Sequence, residues 1–395
     1  AQFMNGVLTV YSHSQGVEIL KLALADALAL DVEQVHVIHA EGAGCYGHNG
    51  ADDVALDAAL LAMAVEPDPV RAQWTRADEH GFEPYAPAAV LDLQASLDAN
   101  GRIVDWRHES ISFSHNGRPR PTPGYSNLQP SWWRAEPRAP APRVPALFPE
   151  VGIHRNLEPI YDFPQKHLLK SLVAESPLRT SSLRSLGAFA NVFAIESFMD
   201  ELAHAAAQDP IEFRLAHLTD PRARAVLTTL RDQAPPASPG TGRGVAIARY
   251  KNRQTWCAIL VDARVTDAAE IQLERALITA DAGLVIDPDG IINQLEGGFV
   301  QAASWTLKEA VDWDADGISS RDWQSYPILK FSEVPEIETV LVDRRLERSL
   351  GAGEASTGPT PAAIANAVFA ATGLRLREIP FTPERLRQVA AGTRP

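Results

Sequence analysis

Val35-His36-Val37-Ile38-His39 leads through Ala40 into Glu41-Gly42-Ala43-Gly44-Cys45-Tyr46-Gly47-His48-Asn49-Gly50, and an alanine-rich helical pattern follows over 52–65. The short β-branched run reads as a buried strand. The small residues after it read as a loop at the strand end. Upstream, Val7-Leu8-Thr9-Val10-Tyr11 reads as another strand. Residues 16–30 read as a helix, with Val17, Leu20, Leu24 and Leu28 at helical spacing. Strand, helix, strand, Gly-rich loop, helix is the order of a mixed α/β layer with the loop at a strand end.

Working outward, 70–75, 90–97 and 103–106 read as strands, the last two joined by the turn Asp98-Ala99-Asn100-Gly101. Nine prolines between 119 and 149 rule out regular structure there and predict an extended surface wrap. Residues 183–207 form a helical pattern with Phe189, Val192, Ile195, Phe198 and Leu202 on one stripe. After a Pro-rich linker at 235–240, the segments 244–250, 256–265 and 271–280 alternate like antiparallel strands. Residues 297–311 and 361–372 then read as helices, the second closed by Gly373. The chain has 395 residues, too many for one ordinary core. We divide it into 1–145, 150–240 and 241–395, an α+β organisation of mixed α/β units.

The chain is 45% hydrophobic and 22% charged, a globular composition, with 50 acidic against 36 basic residues and a net charge of -14. That balance argues against a nucleic-acid partner. Its two cysteines, Cys45 and Cys257, cannot build a disulfide framework, a four-cysteine zinc site or an iron–sulfur cluster by themselves. No His-Glu-x-x-His or comparable metal spacing occurs among the eleven histidines. Three small-residue loops remain as candidate sites: 42–50, 183–187 and 350–358. Gly42-x-Gly44-x-x-Gly47 is a weak dinucleotide signature, because the acidic residue about twenty positions on, Glu66, sits in a proline-containing turn. In Leu350-Gly351-Ala352-Gly353-Glu354-Ala355-Ser356 the only charged group is one carboxylate, with no salt-bridge partner in its own loop. Burial of such a carboxylate disfavours its charge and suits a general base. The plainer reading is a glutamate at a helix start, favoured by the dipole.

Taken in order, the fragments resemble the molybdenum-binding subunit of the xanthine oxidase family of molybdenum hydroxylases, nearest the group of nicotinate dehydrogenases, isoquinoline 1-oxidoreductases and related aldehyde dehydrogenases. They are Ser14-Gln15, Gly44-Cys45-Tyr46-Gly47-His48-Asn49-Gly50-Ala51-Asp52-Asp53, Trp74-Thr75-Arg76, Ser182-Leu183-Arg184 and Glu196-Ser197-Phe198-Met199-Asp200-Glu201-Leu202-Ala203. There follow Asp209-Pro210, Asp281-Ala282-Gly283, Asn293-Gln294-Leu295-Glu296-Gly297-Gly298, Gly351-Ala352-Gly353-Glu354 and the tail from Leu376 to Arg385. The resemblance implies mixed α/β units with the cofactor at the unit interface. Gln15 then matches a glutamine bonded to an oxygen ligand of molybdenum. Gly44, Cys45, Tyr46, Gly47 and His48 match the loop that meets the metal's apical ligand and the substrate. Arg184 matches a substrate-pocket arginine, Gln294 and Gly353 belong with the pterin, and Glu354 matches the catalytic glutamate, which takes a proton as oxygen attacks an electron-poor carbon. The implied cofactor is molybdopterin with molybdenum, the cytosine dinucleotide form included. The metal is held by the pterin's own sulfurs, so no metal ligand is expected from this chain.

On residue type alone, Gln15 is a polar residue at a helix start, Arg184 a dipole-compensating arginine, Cys45 a small hydrophobe, and Asp52 and Asp53 helix-start acids. Two departures narrow the resemblance. Ser185 stands where carbon monoxide dehydrogenases hold copper with a cysteine. Gly50 stands where xanthine oxidoreductases place a second pocket glutamate, which makes purines poor candidates. The implied chemistry inserts water-derived oxygen into an N-heteroaromatic ring carbon. Oxidation of an aldehyde is the alternative, and a non-catalytic assembly role is the rival from another class. The expected partners are an iron–sulfur subunit carrying [2Fe–2S] clusters, a chain or N-terminal segment that completes the molybdenum site, and a cytochrome c with haem c as acceptor. The expected compartment is the bacterial cytoplasm or periplasm, with a membrane-associated complex as a further alternative, and the chain alone is expected to show no turnover.

Overall fold

A computed structural model describes residues 1–148 and 150–392. The first unit opens with β1 (Gln2–Met4), β2 (Val7–Ser12), α1 (Val17–Leu28) and β3 (Val35–His39), in a sheet ordered β1-β2-β3. β2 and β3 run parallel, Leu8 opposite Val35, as the intervening helix requires. α2 (Gly50–Ala64) follows the Gly-rich loop, and Leu8, Val10, Leu20, Leu24, Leu56 and Ala59 share one core. β3 has only Val35 buried, so it is a half-exposed edge and not the buried strand its composition suggests. Residues 70–75 are extended without a sheet partner. They are held by a pair of backbone bonds between Val70 and Ala1 and by Trp74 Nε1, which donates to Asp57 at 2.9 Å.

After the short α3 (Arg76–Phe82) come β4 (Ala89–Leu97), β5 (Ile103–Ser112) and, beyond the proline segment, β6 (Gln165–Leu172), in the order β4-β5-β6. Over 119–148 the proline segment holds no α-helix or named strand, only a single 3-10 turn at Gln129–Trp133, and Pro149 lies outside the described residues. Leu128 plugs the segment into the first core, and Arg138 pairs with Asp26 of α1 at 2.7 Å. α4 (Gly187–Ala205), α5 (Pro210–Ala216) and α6 (Pro221–Gln233) lead to the central sheet. α4 starts at Gly187 and not at 183, because Ser185 and Leu186 have φ of 80° and 49°, which no right-handed helix accommodates.

The central sheet contains β7 (Gly242–Arg249), β8 (Trp256–Val265) and β9 (Ile271–Asp281), all antiparallel. α7 (Pro288–Leu307) and a hairpin of β10 (Trp313–Asp314) and β11 (Gly317–Ile318) follow. β12 (Glu336–Leu341) then joins β9 in parallel, and α8 (Thr360–Thr372) and α9 (Pro383–Ala390) complete the order. Alternate residues of the sheet face two cores. Val245, Ile247, Ala258, Leu260 and Leu277 face one side, and Ala246, Cys257, Ile259, Val261 and Ile278 the other. At Gly244 an added Cβ would lie 2.2 Å from the Ala363 carbonyl oxygen, so glycine is what lets α8 lie directly on β7. α7 begins nine residues before the expected start, at an Asp287 cap with Pro288 in the first turn, which places Gln294 inside the helix. Among the described residues no helix is long and apolar enough to cross a membrane.

Candidate functional site

The 42–50 loop is laced to residues 182–184. Tyr46 has φ 48° and Gly47 φ 127°. A Cβ on Gly47 would lie 2.3 Å from the Ser182 carbonyl oxygen, so only glycine permits this approach. The Arg184 N–H donates to the Tyr46 carbonyl at 2.8 Å, and the His48 N–H donates to that of Ser182 at 2.7 Å. Tyr46 is half exposed, with its ring over Gly44. The half-buried Cys45 gives its S–H to the Gly47 carbonyl at 3.1 Å.

Asn49, not the aspartates, caps α2: its side chain accepts from the Ala51 N–H at 2.9 Å and donates to the Cys45 carbonyl at 3.0 Å. Asp52 and Asp53 are buried and fasten the loop from behind. Ser14 Oγ donates to Asp52, and the Arg179 guanidinium forks onto Asp53 at 2.7 and 3.0 Å. Burial pushes the Asp52 carboxyl up to about 6 against the pull of Ser14. His48, expected among the cofactor-binding residues, is buried in this scaffold with Nδ1 2.9 Å from Ser181 Oγ. Desolvation, reinforced by Arg179, holds its imidazole well below the usual range, in the neutral form.

Glu354 lies where three segments meet. The Ser185 N–H donates to its Oε1 at 2.7 Å, and the Tyr250 hydroxyl donates to Oε2. Arg155 gives Nη1 to the Tyr250 oxygen at 2.6 Å and stands 3.9 Å from Glu354 Oε1, a charge partner that the glutamate's own loop does not provide. Burial, then the Glu354 charge, pushes the Tyr250 phenol upward, so it stays a donor. Arg184 also spans segments. It donates Nε to the Gly353 carbonyl at 3.0 Å, Nη2 to the Gln294 carbonyl at 3.1 Å and Nη1 to the Gln301 side chain at 3.2 Å. A Cβ on Gly298 would fall 2.4 Å from Ser356 Oγ and 3.1 Å from Arg184 Nη2, so that glycine clears the space. Desolvation lowers the Arg184 guanidinium from its usual value, opposed by Glu354.

Arg184 and Tyr46 also line a cavity of about 1070 Å3, together with Gly44, Cys45, Phe189 and Trp305. Residues 183, 184 and 186 border this cavity while the Ser185 N–H holds Glu354, so one strained turn serves both places. Gln294 and Gly353 join the cluster through Arg184. Gln15 is exposed beside the loop, its amide oxygen accepting from the Arg118 guanidinium, which in turn reaches Ser182 Oγ at 3.4 Å. Tyr250, Arg155 and Gln301 carry no signal in the sequence, since each reaches the site only through tertiary folding, whereas Asn49 lies in the quoted loop itself and its bonds are local.

Two matches to the Molybdopterin cofactor-binding domain cover residues 1–116 and 194–335. The chain is also 37% identical over 412 aligned residues to a nicotinate dehydrogenase component of Pseudomonas putida, covering 99% of this chain and 33% of that protein. The chain belongs to the molybdopterin-binding family of molybdenum hydroxylase subunits. It is 27% identical to the beta chain of the isoquinoline 1-oxidoreductase of Brevundimonas diminuta, over 88% of this chain and 43% of that one. Its fold matches the aldehyde oxidoreductase of Desulfovibrio gigas with a TM-score of 0.76 at 14% identity, over 97% of this chain and 58% of that one. This molybdopterin-binding chain thus spans half or less of the length of the curated relatives it matches.

The residues present suit such a cofactor. Among the described residues no group of three or more His, Cys, Asp or Glu side chains is placed to hold a metal ion. The 44–47 backbone instead offers a side-chain-poor turn next to one anchored carboxylate, and the Ser185 hydroxyl, wholly buried there, has no hydrogen-bond partner in the protein.

Proposed function

We propose that this chain is the cofactor-binding catalytic portion of a multi-subunit molybdenum hydroxylase that introduces water-derived oxygen at a ring carbon of an N-heteroaromatic compound. The observation that carries the reading is the setting of Glu354. One of its oxygens is fixed by a backbone N–H and the other by a neutral phenol, so the carboxylate is oriented while lone pairs remain for a proton. In this reading the 44–47 turn, Gln15, Gln294 and Gly353 hold molybdopterin, which supplies the two-electron redox chemistry when bound. Glu354 accepts the proton released as the substrate carbon gains oxygen. Arg184 acts on the site mainly by position, because its guanidinium ties the Gly353 and Gln294 backbones together beside the cavity.

Electrons must leave through other protein. Cys257 is sealed in the central sheet and Cys45 sits in the cavity loop, so the two cannot share a cluster. An iron–sulfur subunit with [2Fe–2S] clusters, and a cytochrome c beyond it, fit that need. The test is metal analysis of the purified complex with hydroxylation assays of wild type and Glu354→Gln. Molybdenum, a [2Fe–2S] partner chain and loss of turnover in the variant are expected. Zinc or no metal, or unchanged turnover in the variant, would overturn the reading. Aldehydes belong in the same assay as the alternative substrate.

A further inference from the structure

One wall of the cavity is built from residues that neither the loop nor the glutamate site uses. α3 brings His80, and Glu83 follows directly at its C-terminal end. Glu309 and Tyr326 come from the segment after α7. His80 is 4% exposed, borders the cavity, and has neither ring nitrogen hydrogen-bonded within the protein. Its ring lies 4.7 Å from that of Tyr326. Glu83 turns one oxygen to the Gly50 N–H at 3.4 Å, and among the described residues no other hydrogen bond reaches its carboxyl. A Cβ on Gly50 would strike the Trp74 ring at 2.8 Å, so the bare backbone there lets Trp74 and Glu83 close over the start of α2.

Around this polar wall stand flat rings: Trp74, Tyr85, Phe189 and Trp305, with Tyr46 nearby. A cavity with several aromatic rings in its lining, beside a carboxyl and an imidazole with few or no hydrogen bonds of their own, suits a planar ring bearing a hydrogen-bonding edge. We infer that Glu83, seconded by His80, contacts the substrate and reads the ring nitrogen of an N-heteroaromatic compound. This rests on the function proposed above and supplies its specificity determinant. Burial, with Glu79 and Asp53 adding and Arg76 opposing, pushes the Glu83 carboxyl up to about 7. A carboxyl near half-protonation donates to a bare ring nitrogen and accepts from a protonated one. Burial, then Arg76, lowers His80 to about 4, so its imidazole stays neutral and carries one donor and one acceptor.

The test uses the purified complex and two probes that differ only by the nitrogen, isoquinoline and naphthalene, with Kd read from equilibrium dialysis and KM and kcat for any hydroxylated probe. Wild type is expected to favour isoquinoline by about tenfold, the value of one well-made hydrogen bond. Glu83→Leu is expected to bring the two probes within about twofold, while Glu83→Gln, which keeps a donor and an acceptor, retains the preference. Glu83→Ser, which withdraws the polar group from the cavity without inserting apolar bulk, loses the preference too and serves if the leucine variant does not fold. Equal binding of both probes by wild type, or an undiminished preference in the leucine or serine variant, overturns the inference. A molybdenum-containing complex that hydroxylates isoquinoline equally well with either variant removes the role of Glu83 alone. A complex without molybdenum removes the proposed function instead.

Discussion

Tyr250→Phe deletes one oxygen at the centre of the glutamate site. In the folded protein Tyr250 is 6% exposed, its hydroxyl donates to Glu354 Oε2 and it accepts from Arg155 Nη1 at 2.6 Å. Removing it leaves Oε2 without its orienting donor, while the Ser185 N–H still holds Oε1 at 2.7 Å. A hydrogen bond to a charged group contributes about 1.5–3 kcal/mol. At about 1.4 kcal/mol per factor of ten, kcat/KM falls roughly 10- to 150-fold if the orientation of Glu354 limits proton transfer. Arg155 sets the lower end of that range, because it stands 3.9 Å from Oε1 and offsets part of the loss by closing on the carboxylate. The assay is steady-state kinetics on the complex in a double-mutant cycle with Glu354→Gln. If Tyr250 acts through Glu354, its removal costs almost nothing further in the glutamine background. An unchanged kcat/KM in the single variant, or a full additional loss in the double variant, would refute the reasoning.

Gly47→Ala places a Cβ at 2.3 Å from the Ser182 carbonyl oxygen with φ at 127°, so the loop must leave residues 182–184. The expected result is a purified complex with reduced molybdenum content, read by metal analysis, and full occupancy would count against the loop as part of the cofactor site. Glu196→Ala strands Arg214, which is wholly buried and pairs with Glu196 at 2.8 Å, and also deprives the Tyr161 hydroxyl and the Ile247 N–H. Such a loss costs about 3–5 kcal/mol, a drop visible in thermal melting, and pairing the change with Arg214→Met should recover much of it. Asp52 is an acid raised to about 6 in the fold from an ordinary 3.8, so its protonated form is the favoured one. Its contribution to stability is full below about pH 4 and is lost as pH rises through about 6. Asp52→Asn should flatten the melting temperature over that window, and an unaltered slope would assign the effect elsewhere.

The parts visible in the sequence are those whose signal is local. Alternation along β7, β8 and β9 and the Gly373 stop of α8 each depend on neighbours a few residues away, and they stand where the pattern puts them. The failures share one cause. Residues 70–75 have strand composition and no partner, because sheet membership is decided by what lies alongside. Residues 183–186 have helical spacing, yet the positive φ of Ser185 and Leu186 turns the chain toward Glu354, a contact across 169 positions of sequence. Asp52 and Asp53 do stand in the first turn of α2 as read, but the Arg179 grip on Asp53 went unseen because that arginine is distant in sequence and adjacent only in the fold. Fragment order pointed to Glu354, Arg184 and the 44–47 turn, but no local pattern announces Tyr250, Arg155 or Glu83, which arrive from a strand end, a proline-flanked turn and a helix end.

The way Glu354 is held bears on what it can do. Had Arg155 forked directly onto the carboxylate, as Arg179 does onto Asp53, both oxygens would be committed to a full positive charge and the group would serve as a fixed anion. Instead the arginine reaches the glutamate through Tyr250, whose hydroxyl takes the guanidinium on one side and gives its proton on the other. The carboxylate then receives one neutral O–H and one backbone N–H, enough to fix its orientation while each oxygen keeps a free lone pair. Asp53 and Glu354 thus divide two roles between similar groups: the aspartate, wholly buried and doubly gripped, locks the loop, and the glutamate, its side chain 30% exposed, remains open to exchange a proton. The difference lies in one interposed phenol, which is why the Tyr250 substitution separates an anchored base from a merely structural anion.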